Sequence, residues 1–446
     1  MKELLLLDQS KNNLSQQMYE FAKKIFPFPR SLTGDGVRQT LQAIKELLPD
    51  LKIHEIPTGT KVFDWEVPKE WNIKDAYVIN SDGLKVIDWH KNNLHVVSYS
   101  IPIDTTVTLK ELKEHLHSLP DQPDAIPYFT SYYRPTWGFC MAHREYQKLR
   151  DGNYRVVINS QLEPGHLTYG DLIIPGREKK EILLSTYICH PSMANNECSG
   201  PVVTTFLCRW ILNQKKRRYT YRLVFVPETI GAIAYISRNL DALRQRVKAG
   251  FILTCVGDDR AYSLMPARKS GVLPERVARH VLALVLKVPY TKYTFLERGS
   301  DERQYCAPGV DLPVVSIMRS KYGTYPEYHT SLDDLALISP DGLYGGFLAT
   351  KTAIEVIEVN ETFKSTVVCE PWFSKRGLRA PLLGGTTLTP WSALVSNVMA
   401  YSDGEYDLLA IAETIGCSIF DVAEVAATLK QNGLLERVRE CTPKPR

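Results

Sequence analysis

Several features that would settle the role of a 446-residue chain are missing here. The nine cysteines are scattered, odd in number and without CxxC spacing. They read as reduced, mostly buried thiols of a cytoplasmic protein rather than as a disulfide framework. No uninterrupted apolar stretch reaches the roughly 18 residues of a membrane-spanning helix. The opening MKELLLLDQS holds a short apolar run closed by Asp8, too short for a signal peptide and without a small-residue cleavage site. No long block of one charge dominates, and 54 Lys and Arg against 50 Asp and Glu leave a net charge of only +4. Composition therefore argues for neither a nucleic-acid nor a membrane partner. The basic run Lys215–Arg218 follows an apolar helical segment and reads as a solvated helix end.

What is present is a large core. Hydrophobic residues make up 44% of the chain and charged ones 23%, as in soluble globular proteins of two or three domains. Residues 1–49 read as helices, with Leu14, Met18, Phe21 and Ile25 at helical spacing and a break at Pro27 and Pro29. Residues 50–135 hold short β-type runs separated by turn residues, dense in Trp and Pro, and read as an inserted β-rich domain. Over 136–370, buried strands such as EILLSTYICHP, YRLVFVPETIG, GFILTCVGDD and LPVVSIMRS alternate with helical segments. That is an α/β core, a mixed sheet sandwiched by helices. Residues 371–446 give three helical patterns broken by Gly404, Gly416 and Gly433, then a strand-like end, the layout of a winged helix-turn-helix.

In α/β sheets chemistry sits past the C-terminal ends of strands, and four strand ends here carry polar clusters. They supply His190 with Asn195, Asn196 and Glu197; Glu228; Asp258 and Asp259; and His329 with Asp333 and Asp334. Imidazoles and carboxylates are the ligands of a catalytic zinc, which leaves one position for water. A nearby carboxylate then takes the water's proton, a role that fits Glu228. Taken singly, each residue also has a structural reading: a core histidine, or an acid capping a helix.

The order of these pieces resembles the co-catalytic zinc aminopeptidase family. The matching stretches are ICHPSMANNECSG, PETIG, SDERQYCAPGVDLPVV and EYHTSLDD, within roughly 180–340. Nearly the whole chain is similar to bacterial proteins with an aminopeptidase-like domain, a zinc-peptidase core with a small β insertion and a C-terminal winged helix. RSLTGDGVRQTL, ICHPSMANNECSGP, ERGSDERQY and EYHTSLDDL carry that likeness. The resemblance implies zinc held by His190, Asn196 and His329, with Glu228 as base. It also exposes departures: Asn196 stands where the family has a bridging Asp, Thr229 where it has a second Glu, and Thr254 near a further Asp. Three weakened carboxylate positions point to one zinc rather than two, with Asp258 as a candidate recruit. They also admit a chain that has lost its metal.

The expected function is an aminopeptidase-type amidohydrolase acting on a peptide or aminoacyl conjugate. Glu302 is expected at the substrate's ammonium, beside Arg303, and Tyr325 at the oxyanion. Second comes a peptide-binding or scaffold protein on the same fold, and third a winged-helix regulator. Asp421, Glu424 and Glu413 give the C-terminal helices the wrong charge for phosphate. That domain is instead expected to make protein contacts, including those of a homo-oligomer.

Overall fold

The computed structural model describes residues 2–378 and 389–438, with side chains from residue 11 onward. It divides into two compact units, Met1–Glu275 with Tyr290–Thr350, and Arg276–Pro289 with Lys351–Arg446.

The first unit is organised by an eight-stranded mixed sheet. Its order is Lys52–Pro57, His166–Ile174, Tyr219–Val226, Glu178–Tyr187, Val247–Ile252, Val314–Met318, Ser263–Met265, Thr291–Lys292. The four strands at 219–226, 178–187, 247–252 and 314–318 run parallel, and antiparallel pairing begins on either side of them. Residues 181–187 and 314–318 are buried without interruption, so both faces of the sheet are covered. The helix Ser199–Leu212 is buried around most of its circumference, which is why its sequence lacks a polar face. It packs close because residue 200 is glycine: a Cβ there would lie 2.3 Å from the Leu253 carbonyl oxygen.

The helices Lys2–Ile25 and Asp35–Leu47 match the expected N-terminal pair. The inserted domain is differently bounded from the span 50–135. Lys52–Pro57 is the outer strand of the main sheet. Asn153–Glu163, beyond the expected end, lies between Glu70–Ile79 and Ile103–Thr108 in a four-stranded antiparallel sheet. Pairing between distant segments, which composition does not carry, set those limits. A small hairpin, Lys61–Val62 with Trp65–Glu66, projects from the same insertion.

In the second unit, helices Pro390–Tyr401, Leu408–Ile415 and Ile419–Gln431 accompany a three-stranded sheet of Thr362–Ser365, Asp403–Asp407 and Leu435–Arg437. The winged helix therefore begins about ten residues before 371. Parts of the expected span, 379–388 and 439–446, lie outside the described residues. Arg276 binds Glu413 at 2.7 Å and Asp407 at 3.2 Å within this unit. No helix of the described residues is long and apolar enough to cross a membrane.

Candidate active site

His190 lies three residues past the end of the strand Glu178–Tyr187 and is buried. Its Nδ1 sits 2.8 Å from Glu197 Oε2, which leaves Nε2 facing Glu228 Oε2 at 3.7 Å. The His329 ring is 5.3 Å from the His190 ring, centroid to centroid. A carboxylate on one imidazole nitrogen fixes the ring and its tautomer for work at the other. Burial pulls the His190 pKa down, but the charge of Glu197, its hydrogen bond and Glu228 outweigh this and raise it. His329 has no such carboxylate. Burial and the neighbouring His190 lower its pKa to about 3, so its imidazole stays neutral. Desolvation raises the Glu228 pKa against the opposing pull of His190 and Arg303, as suits a general base.

Two backbone outliers frame these groups. Thr229, a β-branched residue, has φ 63°, and His329 has φ 57°, conformations that cost of order 1–3 kcal/mol each. Thr229 is held by its N–H on Asp301 Oδ1 at 2.8 Å and by Arg303 donating to its hydroxyl at 2.8 Å. The strained turn is what presents Glu228 at the strand end.

The remaining expected residues fare unequally. Asn196 is buried nearby, its Oδ1 accepting from the Tyr187 hydroxyl at 3.0 Å and its Nδ2 without a hydrogen-bond partner. Asp258 is not available as a ligand. Its carboxylate accepts from Asn195 Nδ2, Arg260 N, Ser320 N and Ser320 Oγ at 2.8–3.0 Å, so it fastens two loops. Glu302 is fully buried, and its Oε1 takes Gly299 N, Ser300 N and the Tyr322 hydroxyl. Through that oxygen it closes its own loop, while its Oε2 is buried without a hydrogen-bond partner. Tyr325 donates to Asp333 Oδ2 at 3.0 Å and is buried, which removes it from an oxyanion role. Asp333 also accepts the consecutive N–H groups of Ala194, Asn195 and Asn196. It moulds the turn that carries them.

The sequence leaves two readings open for the insertion's Trp65, Trp71, Tyr132, Tyr133, Arg134 and Trp137, a wall of the pocket or the module's own core. Residues 126–131 lie along 329–331, with Tyr128 N–H on the His329 carbonyl at 2.9 Å and Ser331 N–H on that of Ile126 at 2.8 Å. Tyr128 stands 5.1 Å from the His190 ring and 5.4 Å from that of His329, and its hydroxyl pairs with that of Tyr132 at 2.7 Å. Tyr132 and Tyr133 join Trp65, Leu32 and Ile230 around a cavity of about 230 Å³ whose polar wall is Cys189, His190, Glu228 and Thr229. Burial holds the Tyr132 phenol well above its ordinary pKa, so it stays a hydrogen-bond donor. Arg30 reads from the sequence as a loop residue at the Pro27–Pro29 break, with a ligand-facing role as the lesser alternative. It is buried beneath the site, donating to the His190 carbonyl at 2.9 Å and lying 4.0 Å from Glu197.

Zinc needs donors that are neutral or anionic and not consumed elsewhere. His329 has that form, and among the described residues no hydrogen bond reaches its ring nitrogens. Asp301 Oδ2 and Glu197 Oε1 are buried without hydrogen bonds, and mutual repulsion with Glu228 and Glu302, added to burial, raises the Asp301 pKa well above normal. Such a surplus of confined carboxylate fits a cation. Among the described residues, the only trio of ligand atoms within 4.8 Å is that of Cys189, His190 and Glu197. There Glu197 serves better as the partner that orients His190, because burial and nearby acids keep the Cys189 thiol protonated.

Mixed sheet, parallel-strand ends and histidine pair together define an aminopeptidase-like core. Residues 19–360 match the family described as a domain of unknown function, DUF4910, and residues 361–437 match a winged helix-turn-helix. The chain belongs to that DUF4910 family. It is 43% identical over 439 residues, 98% of its length and all of the relative's, to a Clostridium acetobutylicum protein provisionally described as a polysaccharide biosynthesis protein with an aminopeptidase-like domain. A crystal structure of a provisionally described peptidase from Clostridium acetobutylicum superposes with TM-score 0.91 at 42% identity, covering 98% of this chain and 100% of that one. The zinc aminopeptidase of Bacillus subtilis shares the fold at TM-score 0.56 and 12% identity, over 76% of this chain and 94% of that one.

Proposed function

We propose that this chain is a zinc-dependent amidohydrolase of aminopeptidase type, acting on an aminoacyl or peptidyl amide. The observation that carries the reading is the pairing of His190, oriented through Nδ1 by Glu197, with a neutral His329 and with Glu228 at 3.7 Å. The Clostridium relative is described with polysaccharide biosynthesis, and an amide-linked group on a modified sugar is a substrate class that joins both descriptions.

His190 and His329 would hold the ion, with the Asn196 amide oxygen as a neutral third donor. Bound there, zinc would act as a Lewis acid on the amide carbonyl and ease deprotonation of water. Glu228 accepts the proton of the attacking water and passes it to the leaving nitrogen. Tyr132 donates to the developing oxyanion from the insertion's side of the cavity, in place of Tyr325. Leu32, Trp65 and Ile230 form the apolar side of the cavity. For the winged helix we infer protein contacts, homo-oligomeric ones included, because the helix Ile419–Gln431 exposes Asp421 and Glu424.

Zinc per chain, measured on wild type, His329→Ala and Asn196→Asp, tests the reading. The expected result is about one zinc in the wild type, lost in His329→Ala. An empty wild type with a filled Asn196→Asp turns the chain into a disabled hydrolase that binds peptides, an outcome the neutral Asn196 and Thr229 specifically favour.

A further inference from the structure

The hairpin Lys61–Val62/Trp65–Glu66 turns through Phe63 and Asp64. Two-residue hairpin turns of this kind favour Gly or Asn where φ is positive. Phe63 has φ 59° and is 58% exposed, and Trp65 is 41% exposed. The turn thus bears backbone strain of about 1–3 kcal/mol and two wetted aromatic rings. Packing against an apolar ligand would offset both costs.

The rings face a groove. Phe63, Asp64 and Trp65 line one side of a space of about 390 Å³, and Ile233, Ile236, Leu240 and the segment Ala307–Val310 line much of the rest. Asp64 is the single charged residue of that lining. Ile230, Ile233, Ile236 and Leu240 fall on one face of the helix Ile230–Arg246, a strip of roughly 15 Å at 1.5 Å per residue. Ile230 belongs to the cavity of His190 and Glu228, whereas the next three belong to the groove. Trp65 lines both spaces and stacks edge-on against Tyr133 at 6.1 Å. An apolar track therefore leaves the reacting groups, passes the Trp65 ring and continues along the helix.

We propose that this groove seats a straight-chain acyl group carried by the amide substrate. The proposal rests on the hydrolase reading for its link to the reacting groups. Asp64 and Gln304 are the only polar side chains of the lining, too few to pair the many hydrogen-bonding groups of a sugar or peptide backbone, whereas methylenes need no partner.

The test is calorimetric binding of N-acylglycines, from butanoyl to dodecanoyl, to the zinc-supplemented Glu228→Gln protein, in which turnover is blocked. Affinity is expected to climb about fourfold per methylene, the ratio set by burial of one CH₂, and then level off once the groove is full. Phe63→Ser and Trp65→Ser, both at exposed positions, should flatten the climb while their melting temperatures stay near that of the parent. A series on the parent Glu228→Gln protein without chain-length dependence overturns the proposal, as does a climb that survives both substitutions. Zinc content and hydrolysis are read separately. A chain that binds the series yet holds no zinc and cleaves no amide keeps the groove assignment and loses the hydrolase reading.

Discussion

Glu197→Gln keeps the shape of a fully buried side chain and removes its charge, with two separable consequences. The first concerns the fold. Arg30 loses the carboxylate oxygen 4.0 Å from its Nε but keeps the Ile25 and His190 carbonyls and the Cys198 sulfur as acceptors. Breaking a buried ion pair costs about 3–5 kcal/mol, and the retained acceptors put this case at the lower end, about 3 kcal/mol. For a unit this large that lowers the melting temperature by roughly 5 °C. The second consequence concerns the metal. Losing the partner that orients a ligating histidine weakens metal binding about 10- to 100-fold. The opposing effect is that His190, freed from Glu197's charge, gives up its proton more readily, which favours the smaller figure. Melting chelated and zinc-loaded protein side by side separates the two, because zinc stabilises by RT ln(1 + [L]/Kd). A tenfold loss of affinity shrinks the zinc-induced gain by about 1.4 kcal/mol. If the chelated variant melts with the wild type, the buried pair does not support the fold. If the zinc gain is undiminished, Glu197 does not orient His190 and the site's geometry is misread.

Asp258→Ala should cost about 3 kcal/mol or more, since it strands three buried donors and the Arg260 N–H, yet leave zinc per chain unchanged by elemental analysis. Lost zinc in a chain that still melts cooperatively would make Asp258 a ligand after all. Tyr132→Phe should lower kcat roughly a hundredfold, as removal of an oxyanion donor does, with KM and zinc content little altered. An equal loss in KM would instead mark Tyr132 as a binding wall. Burial tends to raise the Glu70 pKa, but hydrogen bonds from Arg38, His166 N–H and Asn72 bring it down to about 2. A depressed carboxylate contributes stability above its unfolded pKa, near 4.5, and that contribution fades as pH falls toward 2. Glu70→Gln should therefore be less stable than wild type at pH 7 and lose less on acidification, in denaturant melts across that range.

The α/β core was legible because its strands are buried on both faces. A run such as ILLSTYICH has no solvent side to interrupt it, and the following GPVVTTFLCRWIL has almost none, so each reads as an apolar block of characteristic length. The insertion's limits were not legible. YRVVINSQL is as apolar as a core strand, and only pairing with Glu70–Ile79 and Ile103–Thr108 assigns it to the smaller sheet. KIHEIP reads as part of the β-rich stretch, although it closes one side of the main sheet against His166–Ile174. Strand identity is a local property of the chain; strand partnership is not.

The site divides along the same line. His190 and Glu228 stand out as candidates because each follows closely on a strand whose end the sequence reveals, and the parallel strands bring those ends to one side of the sheet; His329 lies eleven residues past the strand Val314–Met318. The acids could not be sorted that way. Asp258, Glu302 and Asp333 occupy the same kind of position, yet each accepts backbone and hydroxyl donors that hold the loops in shape, with Glu302 Oε2 left unpartnered. Glu197, next in sequence to the suspected ligand Asn196, instead holds His190 from behind. What separates a reacting carboxylate from a structural one is the number of donors already pointing at it, and those donors come from segments up to 139 residues away in the chain. The tyrosines of the insertion are more distant still. Tyr128 and Tyr132 reach the histidines because residues 126–131 lie along 329–331, so a segment that composition assigns to a separate small domain forms a wall of the reaction cavity. On the proposed reading, the insertion would shape what the cavity admits, while the strand ends would supply the chemistry. Exchanging the insertion between members of this family should therefore move substrate preference and leave zinc content where it is.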